Sequence, residues 1–128
     1  MKNILIIAFT LFGMALFGQD KIEMPEKLKT GIKKGDAQTV AIFFNENIEM
    51  SIEGDENIYS SRQAEFVLQK FFRAHKPKSF LINHQGYKNN TSYVIANLQT
   101  FEGNFKMIFL LKRTEITVKI HQLRIENE

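Results

Sequence analysis

The sequence predicts an α+β domain: a bent antiparallel sheet of four long strands, with short strands ahead of it, packed against about three helices. Three observations carry this. The run from Lys78 to Glu126 divides into β-rich stretches at residues suited to tight turns. An apolar stripe at helical spacing precedes it (Ala64, Val67, Leu68, Phe71, Phe72 and His75) and needs a large apolar surface to cover it. An odd-numbered step from Ile120 to Leu123 marks a β-bulge near His121-Gln122, which bends the last strand.

In chain order, Lys2 precedes an apolar run from Ile4 to Phe17, closed by Gly18 and the polar pair Gln19-Asp20. This is the pattern of a secretory signal peptide cleaved after Gly18, and the run is short of the ~20 residues a membrane span needs. The expectation is a signal peptide over residues 1–18 and one domain over 19–128, exported to the periplasm or beyond with no stable membrane span. The chain has no cysteine, which excludes a disulfide scaffold, a thiol nucleophile and a lipid-modified cysteine. The formal charge of +3 falls by one with Lys2, and a surplus so small, with acids and bases interspersed, does not suggest nucleic acid.

Pro25 suits the start of a first helix, Glu26 complements its N-terminus and Gly35 is placed to end it. Leu28 and Ile32 make a thin apolar stripe, weakened by Gly31. Lys27, Lys29, Lys33 and Lys34 form a basic cluster, read as a solvated helix face or as a seat for an anionic partner or lipid headgroup. Asp36 caps a second helix whose Ala37, Val40, Ala41 and Phe44 share one side, ending at Asn45 to Asn47. Ile48, Met50 and Ile52 then alternate with polar residues as a half-buried strand, and an acidic turn leads to a short strand at Ile58-Tyr59. That turn lacks the ligand spacing of a calcium loop. Ser60 with Gln63 forms a capping box at the start of the third helix, and Pro77 stops it. Phe66 lies on that helix's opposite side, free or touching another surface.

The sheet strands are expected at Ser79 to Tyr87, Thr91 to Phe101, Phe105 to Leu111 and Glu115 to Glu126. Asn89-Asn90 and Glu102-Gly103-Asn104 supply the hairpin turns. Met107 to Leu110 are apolar in succession, so both faces of the third strand look covered, as in a central strand.

This order of elements resembles the cone-shaped fold of nuclear transport factor 2 (also called cystatin-like), ketosteroid isomerase and the SnoaL-type polyketide cyclases. More narrowly, several stretches are similar to a family of small secreted bacterial proteins of unknown function. They are Tyr59-Ser60 through Gln63-Ala64-Glu65, Phe71-Phe72, Pro77 to Phe80, His84 with Gly86, Ser92-Tyr93, Phe109 to Lys112 and Gln122 to Glu126. The resemblance covers nearly the whole chain after the signal peptide and implies fold and export, but no activity.

A fold of this kind implies a pocket inside the cone. Its expected lining is Phe72, Phe80, Ile82, His84, Tyr93, Ile95 and Asn97, with His84, Tyr93 and Asn97 converging as polar groups. His84 and Tyr93 are the weak catalytic candidates. Isomerase or dehydratase chemistry needs an interior carboxylate, and the acids of the sheet region, Glu102, Glu115, Glu126 and Glu128, all sit at turns or the terminus. The histidines show no metal-ligand spacing, and neither metal nor cofactor is expected. Leu81, Val94, Leu98, Ile108 and Leu110 are expected on the outer face, where so much apolar surface argues for a homodimer. The leading expectation is therefore an exported, non-enzymatic binding module, holding a small apolar ligand or self-associating through its sheet. The alternatives are a small-molecule isomerase, dehydratase or hydrolase using His84, and an accessory subunit of an envelope protein assembly.

Overall fold

The structure, a computed structural model, describes residues 22–128. The expected signal peptide lies outside the described residues. Three helices and six strands follow in the order α1 (Glu26–Lys34), α2 (Ala37–Ala41), β1 (Phe44–Ile52), β2 (Asp55–Ser60), α3 (Ser61–Ala74), β3 (Pro77–Lys88), β4 (Thr91–Thr100), β5 (Gly103–Arg113) and β6 (Val118–Asn127).

Local chemistry accounts for most of the boundaries. α1 begins after Pro25 and ends at Gly35, whose φ of 68° is left-handed. There the amide of Asp36 reaches back to the carbonyl of Gly31 at 2.8 Å, satisfying an end-of-helix acceptor. Asp36 caps α2, its carboxylate accepting from the Thr39 amide at 3.2 Å and the Thr39 hydroxyl at 2.7 Å. That hydroxyl bond, then the amide bond, holds the Asp36 carboxyl below its ordinary pKa. Ser60 and Gln63 make the reciprocal capping box expected at α3.

α2 stops at Ala41, and Phe44 opens β1 instead of closing the helix as expected. The amide of Ile120 donates to the carbonyl of Phe43 at 2.7 Å, so β6 captures this segment into the sheet. β6 itself starts at Val118. Ile116, expected on the strand's apolar face, is 95% exposed in the loop before it.

The strands form one sheet in the order β2-β1-β6-β5-β4-β3. It is curved and not closed. It is not wholly antiparallel, because β1 and β6 run parallel. That pairing joins the N-terminal strands to the four long ones. The bulge expected at His121 is present: Leu110 pairs with Gln122 and Leu111 with Ile120, leaving His121 as the extra residue. A second bulge, not legible in the sequence, falls between Ile82 and His84 on β3.

All three helices cover one face. α1 packs on β3 and α2, α2 on α3, and α3 on β1 and β2. Beneath them lie Leu68, Phe71 and Phe72 of α3, with Val94, Ala96 and Leu98 of β4, Phe105, Met107 and Phe109 of β5, and Leu123 and Ile125 of β6, all buried. Phe71, His75 and Phe105 stack together, with ring centroids 4.6–5.0 Å apart. Among the described residues this face is filled by side chains, and its buried polar residues are small hydroxyls such as Ser92.

Candidate functional site

Strand register decides which side chains meet on each face. On β4, Ser92, Val94, Ala96, Leu98 and Thr100 point under the helices, so Tyr93, Ile95, Asn97 and Gln99 point to the open side. Pairing carries the same side across the sheet. Leu81 lies opposite Asn97, His84 opposite Ile95, Ile95 opposite Ile108, Tyr93 opposite Leu110, and Ile108 opposite Arg124.

The expected pocket is therefore divided between two faces. Phe72, Phe80 and Ile82 belong to the helix-covered side, whereas His84, Tyr93, Ile95 and Asn97 lie on the open side. His84 is displaced by the bulge at Asn83: Ile82 pairs with Ala96 and His84 with Ile95, so one residue is skipped and the imidazole changes sides. The phase of β4 is the reverse of that expected, because both of its alternating sets contain apolar residues. The expected outer set divides in the same way. Leu81, Ile108 and Leu110 are on the open face, while Val94 and Leu98 are completely buried under the helices.

What the open face assembles among the described residues is an apolar patch. Leu81 is 66% exposed and Tyr93 44%, and between them Ile95, Ile108 and Leu110 are half-buried. His84 and Tyr93 are diagonal neighbours across the β3–β4 ladder, at a typical spacing of about 7–8 Å. Neither side chain makes a hydrogen bond to a described residue. Polar groups frame the patch. Gln122 donates to Glu49 at 2.7 Å, Arg124 pairs with Glu126 at 2.8 Å, and the Asn97 amide lies 2.9 Å from the Glu128 carboxylate.

Outward positions also segregate by charge. β3, β4 and β5 present His84, Lys88, Lys106 and Lys112 there and no carboxylate, while β1 and β2 present Glu49 and Glu56. The sequence alone did not bring Ile58, Gln122 and Arg124 into this face. Their signal lies in the cross-strand register, which the parallel β1–β6 pairing sets.

Open depressions occur elsewhere on the surface. A broad one of about 830 Å3 runs along the outer side of α3 past Tyr59, Phe66 and Val67. Phe66 is 59% exposed, with the Lys70 ammonium 5.0 Å above its ring. No group of His, Cys, Asp and Glu among the described residues has the arrangement of a metal site.

Comparison with known proteins agrees with this architecture. A DUF4783 protein from Bacteroides ovatus is 30% identical, with a TM-score of 0.79 over 83% of this chain and 96% of its own. Nearly all of that crystallised relative is thus matched. More distant structures share the fold alone. A protein from Shewanella baltica described as NTF2-like is 13% identical, with a TM-score of 0.64 over 80% of this chain and 86% of its own. A domain from Nostoc punctiforme with a cystatin-like fold is 10% identical, at 0.63 over 80% and 71%. No curated protein matches the chain. Residues 25–126 match the model for a domain of unknown function, DUF4783. With that match across most of its length and an NTF2-like, cystatin-like fold, the chain belongs to the DUF4783 family.

Proposed function

We propose that the protein is an exported, non-enzymatic interaction module that pairs with a second copy of itself through the open face of the sheet. The observation that carries this is the patch of Leu81, Tyr93, Ile95, Ile108 and Leu110, left uncovered by the described residues while every described helix sits on the other side. Six strands about 4.8 Å apart, averaging about ten residues at about 3.3 Å per residue, present roughly 800 Å2. That is one side of a standard interface.

Charge supports a second copy as the occupant. A two-fold axis parallel to the strands lays the Glu49–Glu56 wing of one copy against the His84, Lys88 and Lys106 side of the other, and the reverse. The filled interior beneath the helices speaks against a small apolar ligand held there. The exposed, unpartnered His84 speaks against turnover at that residue.

The test is light scattering on residues 22–128 across a dilution series. A dimer is expected, reduced to a monomer by Ile108→Glu with unchanged circular dichroism. A wild-type monomer at all concentrations, or a dimer indifferent to Ile108→Glu, would overturn the reading.

A further inference from the structure

The described chain carries its charge along an axis. From Ala37 to Ser61 it holds five carboxylates (Glu46, Glu49, Glu53, Asp55 and Glu56) and no Lys or Arg. That stretch forms the β1–β2 edge of the sheet. Cations collect at the opposite, β3 edge. Lys27, Lys33 and Lys34 are exposed on α1, Arg73 closes α3, and Lys76 and Lys78 flank Pro77 at the start of β3.

These segments are distant in sequence, and one close approach joins them. A Cβ placed on Gly35 would lie 3.0 Å from Pro77 Cδ and 3.6 Å from Phe72 Cβ, so the end of α1 rests on the start of β3. The Phe101 amide then donates to the Lys76 carbonyl at 3.1 Å, drawing the β4–β5 turn to the same end. Phe101 is 64% exposed there, with the Lys78 ammonium 5.1 Å from its ring centroid. Between α1 and β3 the surface continues as a shallow depression of about 390 Å3, with Lys29 and Lys33 on its rim and Phe80 and Ile82 in its floor. Three carboxylates border the region. Glu26 is paired with Lys29 at 3.2 Å, Asp36 is bound to Thr39, and Glu102 follows Phe101. The cations outnumber them.

We propose that this basic end, Lys33, Lys34, Lys76 and Lys78 around Phe101, docks the domain onto an anionic lipid surface. Lysines near such a surface are attracted to its headgroups, and a projecting apolar side chain enters the boundary between headgroups and acyl chains. The aromatic favours lipid over a nucleic acid or other soluble polyanion. Lys78 stands over one face of the Phe101 ring, which leaves less of it for a base to stack on. The acidic β1–β2 edge at the far side of the sheet orients the approach, because the same surface repels it.

The test is co-sedimentation of residues 22–128 with vesicles of phosphatidylcholine alone or mixed with phosphatidylglycerol. Binding is expected only to the mixed vesicles, weakening steeply as salt rises. The triple variant Lys33→Gln, Lys34→Gln, Lys78→Gln should bind about a hundredfold more weakly, at the known gain per lysine near an anionic surface. Phe101→Ser should weaken binding without changing its salt dependence. Glu53→Gln with Glu56→Gln, at the other end, should leave binding intact. Equal binding to neutral vesicles, no binding to anionic ones, or a triple variant that binds like the parent would overturn the proposal. So would capture of soluble polyphosphate without capture of vesicles. The molecular mass of each variant, followed in parallel, separates this outcome from the fate of the pairing reading.

Discussion

His84 lies directly across from Ile95 in the β3–β4 ladder, one step beyond the bulge at Asn83, and so stands at the edge of the open apolar patch. The imidazole therefore bears on association more than on folding. His84→Glu sets a carboxylate beside Ile95, on the β3–β5 part of the open face, whose strands present none there. It is expected to weaken the dimer at least tenfold by sedimentation equilibrium, and to change the unfolding stability of the dissociated monomer by no more than about 0.5 kcal/mol, as for an exposed position. An equally tight dimer would place the interface elsewhere.

Gly31 tests packing against propensity. Alanine at a helix interior ordinarily gains about 1 kcal/mol over glycine. Here a Cβ would stand 3.0 Å from Thr39 Cγ2, 3.2 Å from Thr39 Cβ and 3.3 Å from Val40 Cγ2. Thr39 is itself held by Asp36. Gly31→Ala should therefore lose about 1–3 kcal/mol in urea unfolding. A gain would mean that α2 moves aside freely.

Ser92 is fully buried under the helices, and its hydroxyl has no hydrogen-bond partner among the described residues. An unpaired buried hydroxyl costs about 1–3 kcal/mol, so Ser92→Ala is expected to raise stability by about 1 kcal/mol. Thermal and urea unfolding both read this. A comparable loss would show that the hydroxyl is bonded after all.

Burial, and then the positive charge of Lys112, hold the His121 imidazole below its ordinary value of 6.5. The folded state thus prefers neutral His121, and the unfolded state takes up the proton first. Stability should be fully present above about pH 6.5, fall as the pH drops through that value, and finish falling below the depressed folded value. His121→Asn should flatten this part of the stability profile. An unchanged profile would assign the dependence to another group.

The basic end at Gly35 and Pro77 and the open face at Ile95 and Ile108 show where sequence reasoning stops. Short-range signals were sufficient for the helix caps at Asp36 and Ser60, the left-handed stop at Gly35, the turn at Asn89 and the bulge at His121. Each is fixed by residues within a few positions of one another, and the order of these elements already resembled the fold now seen. The direction in which β4 faces was not fixed that way, because Val94-Ala96-Leu98 and Tyr93-Ile95-Phe101 are both apolar enough to be buried. Only the placement of the helices selects between them, and that placement depends on contacts such as Gly35 with Pro77 and Phe71 with Phe105. The bulge at Asn83 carries no residue signature of its own. It follows from matching a curved β3 to β4, and it moves His84 from the helix-covered side to the open one. The sequence by itself determined what most of the elements are and where they turn, apart from the junction of α2 with β1 and the start of β6. The tertiary structure decided which side chains share a surface, because burial rewards one face of a strand only after something has been packed against it.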